Sequence, residues 1–362
     1  MKKNPDGTVR KHRWYFYVGL VLLTLVLLVV LVAGGLVGYL SVTEYLPAQI
    51  EQAERADILA PEYAGQPLRI VTFNTGYAGL GREADFLMDG GQGVNPESRE
   101  LVEKNMSGIQ QLLEQLNGDV YFLQEVDRDS GRTWNTDQWV RYSSTLSGYE
   151  SCYAPKYICG FVPYPVTDPI GAVSSGIATY SRYHMVDALR QSLPVPFSWP
   201  IRTANLKRCL LTSRMPIAGT DRELVLVYLH LEAYVDGAGK EALTRLLLEL
   251  LNEESAKGNY VIAGGDFNQV FPGARHEVKP TSQWVPGNLD PLPGDWTYTF
   301  DDSVYTCRLL NQPLDPESPL TQFYVIDGFI VSSNLEVLQI RTHDAGFLYS
   351  DHNPVVLEVR LR

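Results

Sequence analysis

The sequence predicts an α+β protein with β-sheets at its centre, preceded by one membrane-spanning helix. Three observations predict it. Short β-rich runs bounded by Gly, Asn or Asp recur along most of the chain, only two strong helical patterns separate them, and one long charge-free apolar stretch lies near the N-terminus.

Residues 14–43 contain no charged side chain, and the core VGLVLLTLVLLVVLVAGGLVGYL exceeds the ~20 residues needed to cross a bilayer. A cleaved signal peptide is the competing reading. Its apolar region is normally ~7–15 residues long and ends in small residues of A-x-A type, which are absent near Leu40. The stretch therefore reads as an uncleaved signal anchor. Lys2, Lys3, Arg10, Lys11 and Arg13 precede it and an acidic segment follows, so the positive-inside rule makes residues 1–13 a cytoplasmic tail. The expected topology is single-pass in the plasma membrane, with the mass of the protein extracytoplasmic.

Residues 44–67 are polar and Pro-punctuated, reading as a stem, and one long domain occupies residues 68–362. Its strands are announced by LRIVTFN, DVYFLQEV, SGIATYS, CLLTSR, ELVLVYLHLEAY, NYVIAGGDFN, FYVIDGFIVS and PVVLEVRL. PESRELVEKNMSGIQQLLEQLN and GKEALTRLLLELLNEESAKG carry apolar residues at three- and four-residue steps and read as helices. Residues 153–172 and 271–319 are rich in Pro, Tyr and Trp without clean periodicity, and are expected as irregular walls or lids.

The first 40 residues carry +4; with −12 overall, the remainder carries −16. An acidic domain does not attract a polyphosphate backbone, so nucleic acid is a disfavoured partner. Four cysteines occur, at 152, 159, 209 and 307. The even count and the CYAPKYIC spacing suit one or two disulfides in an oxidising compartment, against the alternative of unrelated buried thiols. No C-x-x-C or C-x-x-H zinc pattern is present.

Polar residues recur at the ends of the apolar strands: Asn74, Glu125, His230, Asp266, Asn268, Asp327 and the pair Asp351–His352. Each alone has an ordinary explanation as a turn former, a solvated strand end or a core histidine. Together they are the carboxylates, amides and imidazoles that hydrolysis of a phosphate ester around a hard cation requires.

The motifs VTFN, LQEV, HLEAY, GGDFN, VIDGFIVS and SDHNPV, in this order, resemble the endonuclease/exonuclease/phosphatase superfamily over residues 68–362. That family includes deoxyribonucleases, apurinic endonucleases, neutral sphingomyelinases and inositol polyphosphate phosphatases. The resemblance implies a four-layer α/β/β/α sandwich of two mixed sheets flanked by helices, with the site at one edge. It also implies Mg²⁺, with Mn²⁺ as an alternative, held chiefly by Glu125 with Asn74 beside it and Asp351 assisting the metal or the leaving group. Asp266 would orient and deprotonate water, Asn268 would bond a phosphate oxygen, His230 and His352 would donate to the phosphoryl oxygens, and Asp327 would hold His352. The segment NTGYAGLG lacks the extra acidic group that nucleases of the family carry near the first Asn, and VIDGF replaces their IDY.

Candidate substrate contacts are Lys156, Tyr153, Tyr157 and Arg208, for charge and hydrogen bonding to a phosphate. Trp199, Trp284, Trp296 and Tyr298 are candidates for a lipid-facing wall. A membrane tether raises the local concentration of lipid headgroups, so the expected activity is a metal-dependent phosphoesterase acting on a phospholipid headgroup or another small phosphorylated molecule. An extracellular nuclease and an inactive binding module on the same scaffold are the alternatives.

Overall fold

The computed structural model describes residue 5 and residues 14–232, 237–278, 285–315 and 317–362. The rest of the basic tail and Trp284 lie outside the described residues. In chain order the elements are α1 (Trp14–Val42), β1 (Ile50–Gln52), β2 (Glu54–Ala56), β3 (Leu68–Asn74), α2 (Arg99–Leu116), β4 (Val120–Asp127), α3 (Gln138–Thr145), β5 (Glu150–Val162), β6 (Gly171–Ser181), β7 (Val186–Ser192), β8 (Cys209–Pro216), β9 (Glu223–His230), α4 (Gly237–Ala256) and β10 (Tyr260–Asp266). Then follow the short strands β11 (Gln269–Val270), β12 (Gly287–Asn288), β13 (Thr297–Thr299), β14 (Cys307–Arg308) and β15 (Phe323–Tyr324), and finally β16 (Asp327–Val331), β17 (Leu335–Thr342) and β18 (Val355–Leu361).

Helix α1 belongs to one compact unit, which ends at Glu44, and residues 45–362 form a second. At ~1.5 Å per residue its 29 residues are long enough to cross a bilayer, and its mean hydropathy reaches 3.1.

In the second unit two seven-stranded mixed sheets, ordered β1-β7-β8-β9-β10-β16-β13 and β17-β18-β3-β4-β6-β5-β2, face one another. Alternation along the strands decides what each face meets. Leu68 and Ile70 of β3, Leu224, Leu226 and Tyr228 of β9, and Phe329 and Val331 of β16 fill the space between the sheets. The opposite phase of β3, Val71 and Phe73, packs under Val102, Met106, Ile109 and Leu113 of α2. Val261 and Ala263 of β10 lie under Leu243, Leu247 and Leu251 of α4. The expected four layers result.

Helix α2 starts where Ser98 Oγ accepts the Leu101 N–H at 3.2 Å, and it stops at left-handed Asn117. The end of α4 is fastened to β8 through Glu254, which is buried and accepts from both terminal nitrogens of Arg214 (2.9 and 2.6 Å), from Lys257 (2.8 Å) and from Asn259 (2.9 Å). Burial alone would raise this carboxyl, but those hydrogen bonds hold it at about 2, below its ordinary 4.5. A depressed folded-state value stabilises the fold above the unfolded value and is lost as pH falls toward 2. Glu254→Gln is therefore expected to cost about 1–2 kcal/mol at neutral pH in urea denaturation, solvent screening reducing the full linkage value, with the difference from the unsubstituted protein shrinking between pH 4.5 and 2.

Two expectations are corrected, and the open alternative at the cysteines is decided. The supposed stem belongs to the domain: Ile50 pairs with Gln191 at the edge of one sheet and Glu54 with Tyr153 at the edge of the other, while Tyr63 is fully buried. Strands of three residues are too short to display alternation. The region 153–172, expected as irregular, is largely the β5–β6 hairpin, whose register shifts at Pro155/Tyr157 and Cys159/Val162 break the period-two pattern. All four cysteines are free buried thiols. Cys152 and Cys159 sit on one extended strand, some 23 Å apart at ~3.3 Å per residue, far beyond disulfide reach.

Candidate active site

Inner-face positions on three neighbouring strands bring the first polar groups together. His230 ends β9, Asp266 ends β10 and Asp327 begins β16; Asp266 is the register partner of both. Each continues its strand's inner-face series, so the apolar filling between the sheets ends in a polar cap at this edge. The two glycines before Asp266 are a packing requirement. A Cβ on Gly265, at φ +149°, would lie 1.9 Å from the Leu229 carbonyl oxygen, and one on Gly264 would strike the Phe329 ring. The opposite sheet supplies Asn74 from the end of β3, His352 just ahead of β18, and Glu125 from β4.

Glu125 reaches this edge through a distortion. In strict alternation it shares the phase of Tyr121 and Leu123, beneath α2. The ladder to β6 steps from Leu123↔Ala178 to Val126↔Gly176, accommodating one extra residue, and Glu125 takes φ +56°. This bulge re-aims the carboxylate.

One oxygen is the hub. Asp266 Oδ2 accepts from Asn74 Nδ2 at 3.1 Å and lies 3.5 Å from His230 Nε2 and 3.8 Å from His352 Nε2. Its other oxygen accepts the backbone N–H of Asn268 at 2.8 Å. Asn268, at φ +53°, donates one amide proton to the Leu231 carbonyl at 2.7 Å. His352 Nδ1 lies 2.8 Å from Asp327 Oδ2, the contact on which its expected role depends. His230 Nδ1 lies 2.6 Å from the Lys156 ammonium, which itself stands 3.9 Å from Glu125.

The Endonuclease/Exonuclease/phosphatase family model matches residues 71–352. The chain belongs to this family. Its fold is similar to an endonuclease/exonuclease/phosphatase from Beutenbergia cavernae, with 21% identity over 82% of this chain and 72% of that one and a TM-score of 0.55. It is also similar to truncated Caenorhabditis elegans TDP2 (14% identity, 83% and 100% covered, TM-score 0.51) and to a Bacteroides vulgatus endonuclease/exonuclease/phosphatase (14%, 82% and 100%, 0.50). No curated protein sequence matches the chain. Members of this family are hydrolases of phosphodiester bonds, and this chain is a phosphoesterase-type member of it.

The surroundings of the two imidazoles in this family member shift them in opposite directions. Burial, then Lys156, Arg208 and His352, push His230 well below its ordinary value. It is neutral, with Nδ1 accepting from Lys156 and its proton on Nε2, toward Asp266. Burial also disfavours charge on His352, but Asp327 outweighs it and raises the imidazole well above its usual range. Both nitrogens of His352 then carry protons, one directed at Asp327 and one into the site. Burial and the charge of Asp327 raise Asp266. Glu125 is held below the ordinary carboxylate range because Lys156, Arg132 and His352 outweigh burial. Asp351 is pushed up to about 7 by burial and by Glu125, against the pull of His352 and Arg308. Burial brings Lys156 down to about 8.

A hard divalent cation suits these donors. Glu125 carries no hydrogen bond on its carboxylate among the described residues; the Lys156 ammonium stands 3.9 Å away and the neutral His230 ring 4.0 Å. Asp351 adds a second carboxylate, and Asn74 Oδ1 an amide oxygen that already accepts the Gly76 N–H at 3.1 Å. Gly76 is part of that cradle: at φ +50°, its Cβ would meet Asp351 Oδ1 at 2.9 Å. Tighter groups of ligand atoms occur at Asp266/Asp327/His352 and at Cys307/Asp351/His352.

Of the expected substrate contacts, the structure brings only Lys156 to the hub. Tyr153 packs against Trp139 and donates to the Val126 carbonyl at 3.2 Å. Tyr157 donates to the Ala204 carbonyl at 2.9 Å, and Arg208 binds Glu232 at 3.0 Å and the His230 carbonyl at 3.2 Å. Trp296 and Tyr298 are likewise engaged locally, with Asn252 and Asp290, whereas Trp199 is exposed. The sequence reading missed Arg132, which grips Asp127 with two hydrogen bonds of 2.9 Å, lies over the Tyr77 ring and helps hold Glu125 ionised. No local motif marks that interaction; RDSGRT reads as a turn.

Proposed function

We propose that this chain is a membrane-anchored, extracytoplasmic, Mg²⁺-dependent phosphoesterase acting on a phospholipid headgroup or another small phosphorylated molecule. The convergence of Asn74, His230 and His352 on one oxygen of Asp266 carries the reading. Glu125, with Asp351 and the Asn74 side-chain oxygen, would hold Mg²⁺ or Mn²⁺, which when bound neutralises phosphoryl and leaving-group oxygens.

Asp266, raised by burial, is the base that orients a water and takes its proton. The second amide proton of Asn268 and the Nε2 proton of His230 are donors to non-bridging oxygens. His352 brings a full positive charge to the same oxygens as charge develops on them, and Asp327 keeps its ring oriented. Lys156 fixes the His230 tautomer and adds a positive charge beside the phosphoryl group. The apolar helix α1 supports anchorage, and the basic residues before it favour a cytoplasmic N-terminus.

The test uses the full chain in nanodiscs with bis-p-nitrophenyl phosphate, phospholipid vesicles, inositol phosphates and plasmid DNA, each with and without Mg²⁺. Mg²⁺-dependent turnover of phospholipid or small esters is expected. Plasmid nicking without lipid or small-ester turnover would assign the site to nucleic acid instead.

A further inference from the structure

Strand β5 runs through Lys156 at the site and continues into a hairpin tip at residues 163–170. At ~3.3 Å per residue, Phe161 stands some 16 Å farther along the strand. Beside it runs the segment 193–208, joined to the hairpin through the Tyr157 hydroxyl on Ala204 and the Lys207 N–H on the Lys156 carbonyl. The same segment ends in Arg208, which holds the His230 backbone. Both segments therefore border the site and extend away from it.

What they expose is apolar. Tyr164 is 54% exposed, Val166 88%, Trp199 58% and Ile201 61%, with Phe161 and Ile158 also exposed. Charge is scarce: residues 163–170 contain only Asp168, and residues 193–207 only Arg202 and Lys207, in a chain of net charge −12. Aromatic and aliphatic tips with a basic residue beside them match the headgroup boundary of a bilayer, where Trp and Tyr rings settle and cations meet anionic lipid. Residues 43–49, which join α1 to β1, reach no more than about 25 Å when extended, so a membrane crossed by α1 lies within range of the domain.

We propose that the β5–β6 tip and the 193–208 segment form an apolar rim that inserts into the bilayer surface, so that the substrate delivered to Asp266 is a phospholipid of that bilayer. This rests on the phosphoesterase reading and narrows its substrate class.

The experiment uses the full chain in nanodiscs of phosphatidylcholine and phosphatidylglycerol. An environment-sensitive fluorophore is attached at Val166→Cys, Ile201→Cys or, as a control on α3, Val140→Cys; the native thiols are buried. Spin-labelled phosphatidylcholine carrying its quencher near the headgroup is expected to quench the first two and not the third. In parallel, the combined Tyr164→Ser, Val166→Ser and Ile201→Ser variant is expected to lose at least about tenfold on vesicle phospholipid while keeping its turnover of soluble bis-p-nitrophenyl phosphate. Unquenched rim probes overturn the proposal, as does an equal loss on both substrates. Rim probes protected by concentration-dependent self-association, in place of lipid, assign the face to a second copy and overturn it too. If the unsubstituted chain hydrolyses neither substrate, the phosphoesterase reading fails, and the quenching still decides the rim.

Discussion

Replacing Asp266 by Asn is expected to lower kcat on bis-p-nitrophenyl phosphate by about 10³-fold while leaving the fold intact. The substitution keeps the size of the side chain and retains one of the two acceptor oxygens, so either the Asn268 N–H or the Asn74 amide keeps its hydrogen bond and the other loses its acceptor. What it removes is the capacity to take a proton. The raised value of the native carboxyl follows from burial and from Asp327 on the neighbouring strand, which place it closer to neutrality than an exposed aspartate. Circular dichroism and the thermal midpoint check that the protein is folded. A variant that is folded and equally active would remove Asp266 from the chemistry.

The second large effect is expected at Asp327. Asp327→Asn cancels the charge that keeps His352 protonated and leaves an amide where the imidazole Nδ1–H found a carboxylate at 2.8 Å. Both the charge and the ring orientation of His352 suffer, so kcat should fall by about 10² to 10³ with little change in KM. Nitrogen-15 NMR of the histidine side chains separates this from general destabilisation. In the native protein the His352 resonances report two protonated nitrogens, and in the variant a neutral ring. His230 reports a neutral Nε2–H ring in both, because its partner is Lys156. A folded variant in which His352 stays doubly protonated and activity is unchanged would show that Asp327 only packs.

How much of this was visible in the chain depends on whether a residue keeps its strand's rhythm. His230, Asp266 and Asp327 are legible because each stands at the end of an inner-face alternation that is otherwise free of charge, and Asn74 follows Leu68, Ile70 and Thr72 in the same way, so a polar residue there lies at the edge of the core. Glu125 is legible in identity and hidden in orientation, since only the bulge takes it off the α2 side. Lys156 sits in a stretch whose alternation is broken at Pro155, and its hydrogen bond to a histidine 74 residues away leaves no local trace. The edge strands β1 and β2 follow the same logic, being too short for a period to declare itself. Of the two readings open for the cysteines, unrelated buried thiols is the one the structure shows, because the CYAPKYIC spacing lies along one extended strand, which separates Cys152 from Cys159 instead of folding them together.

The rim proposal adds a division of labour to this picture. The strand that positions Lys156 beside His230 leads directly into the tip that exposes Tyr164 and Val166, so the groups proposed for catalysis and for lipid contact are neighbours along one hairpin. A rim variant that loses only vesicle turnover would demonstrate that separation directly.

The central claim, a metal-dependent phosphoesterase site centred on Asp266, is tested most directly by following bis-p-nitrophenyl phosphate hydrolysis by the full chain before and after EDTA, and again after adding Mg²⁺, with Asp266→Asn measured alongside. The account predicts hydrolysis that EDTA abolishes, that Mg²⁺ restores, and that the variant lacks under every condition. Hydrolysis indifferent to EDTA, or equal in the variant, would contradict it.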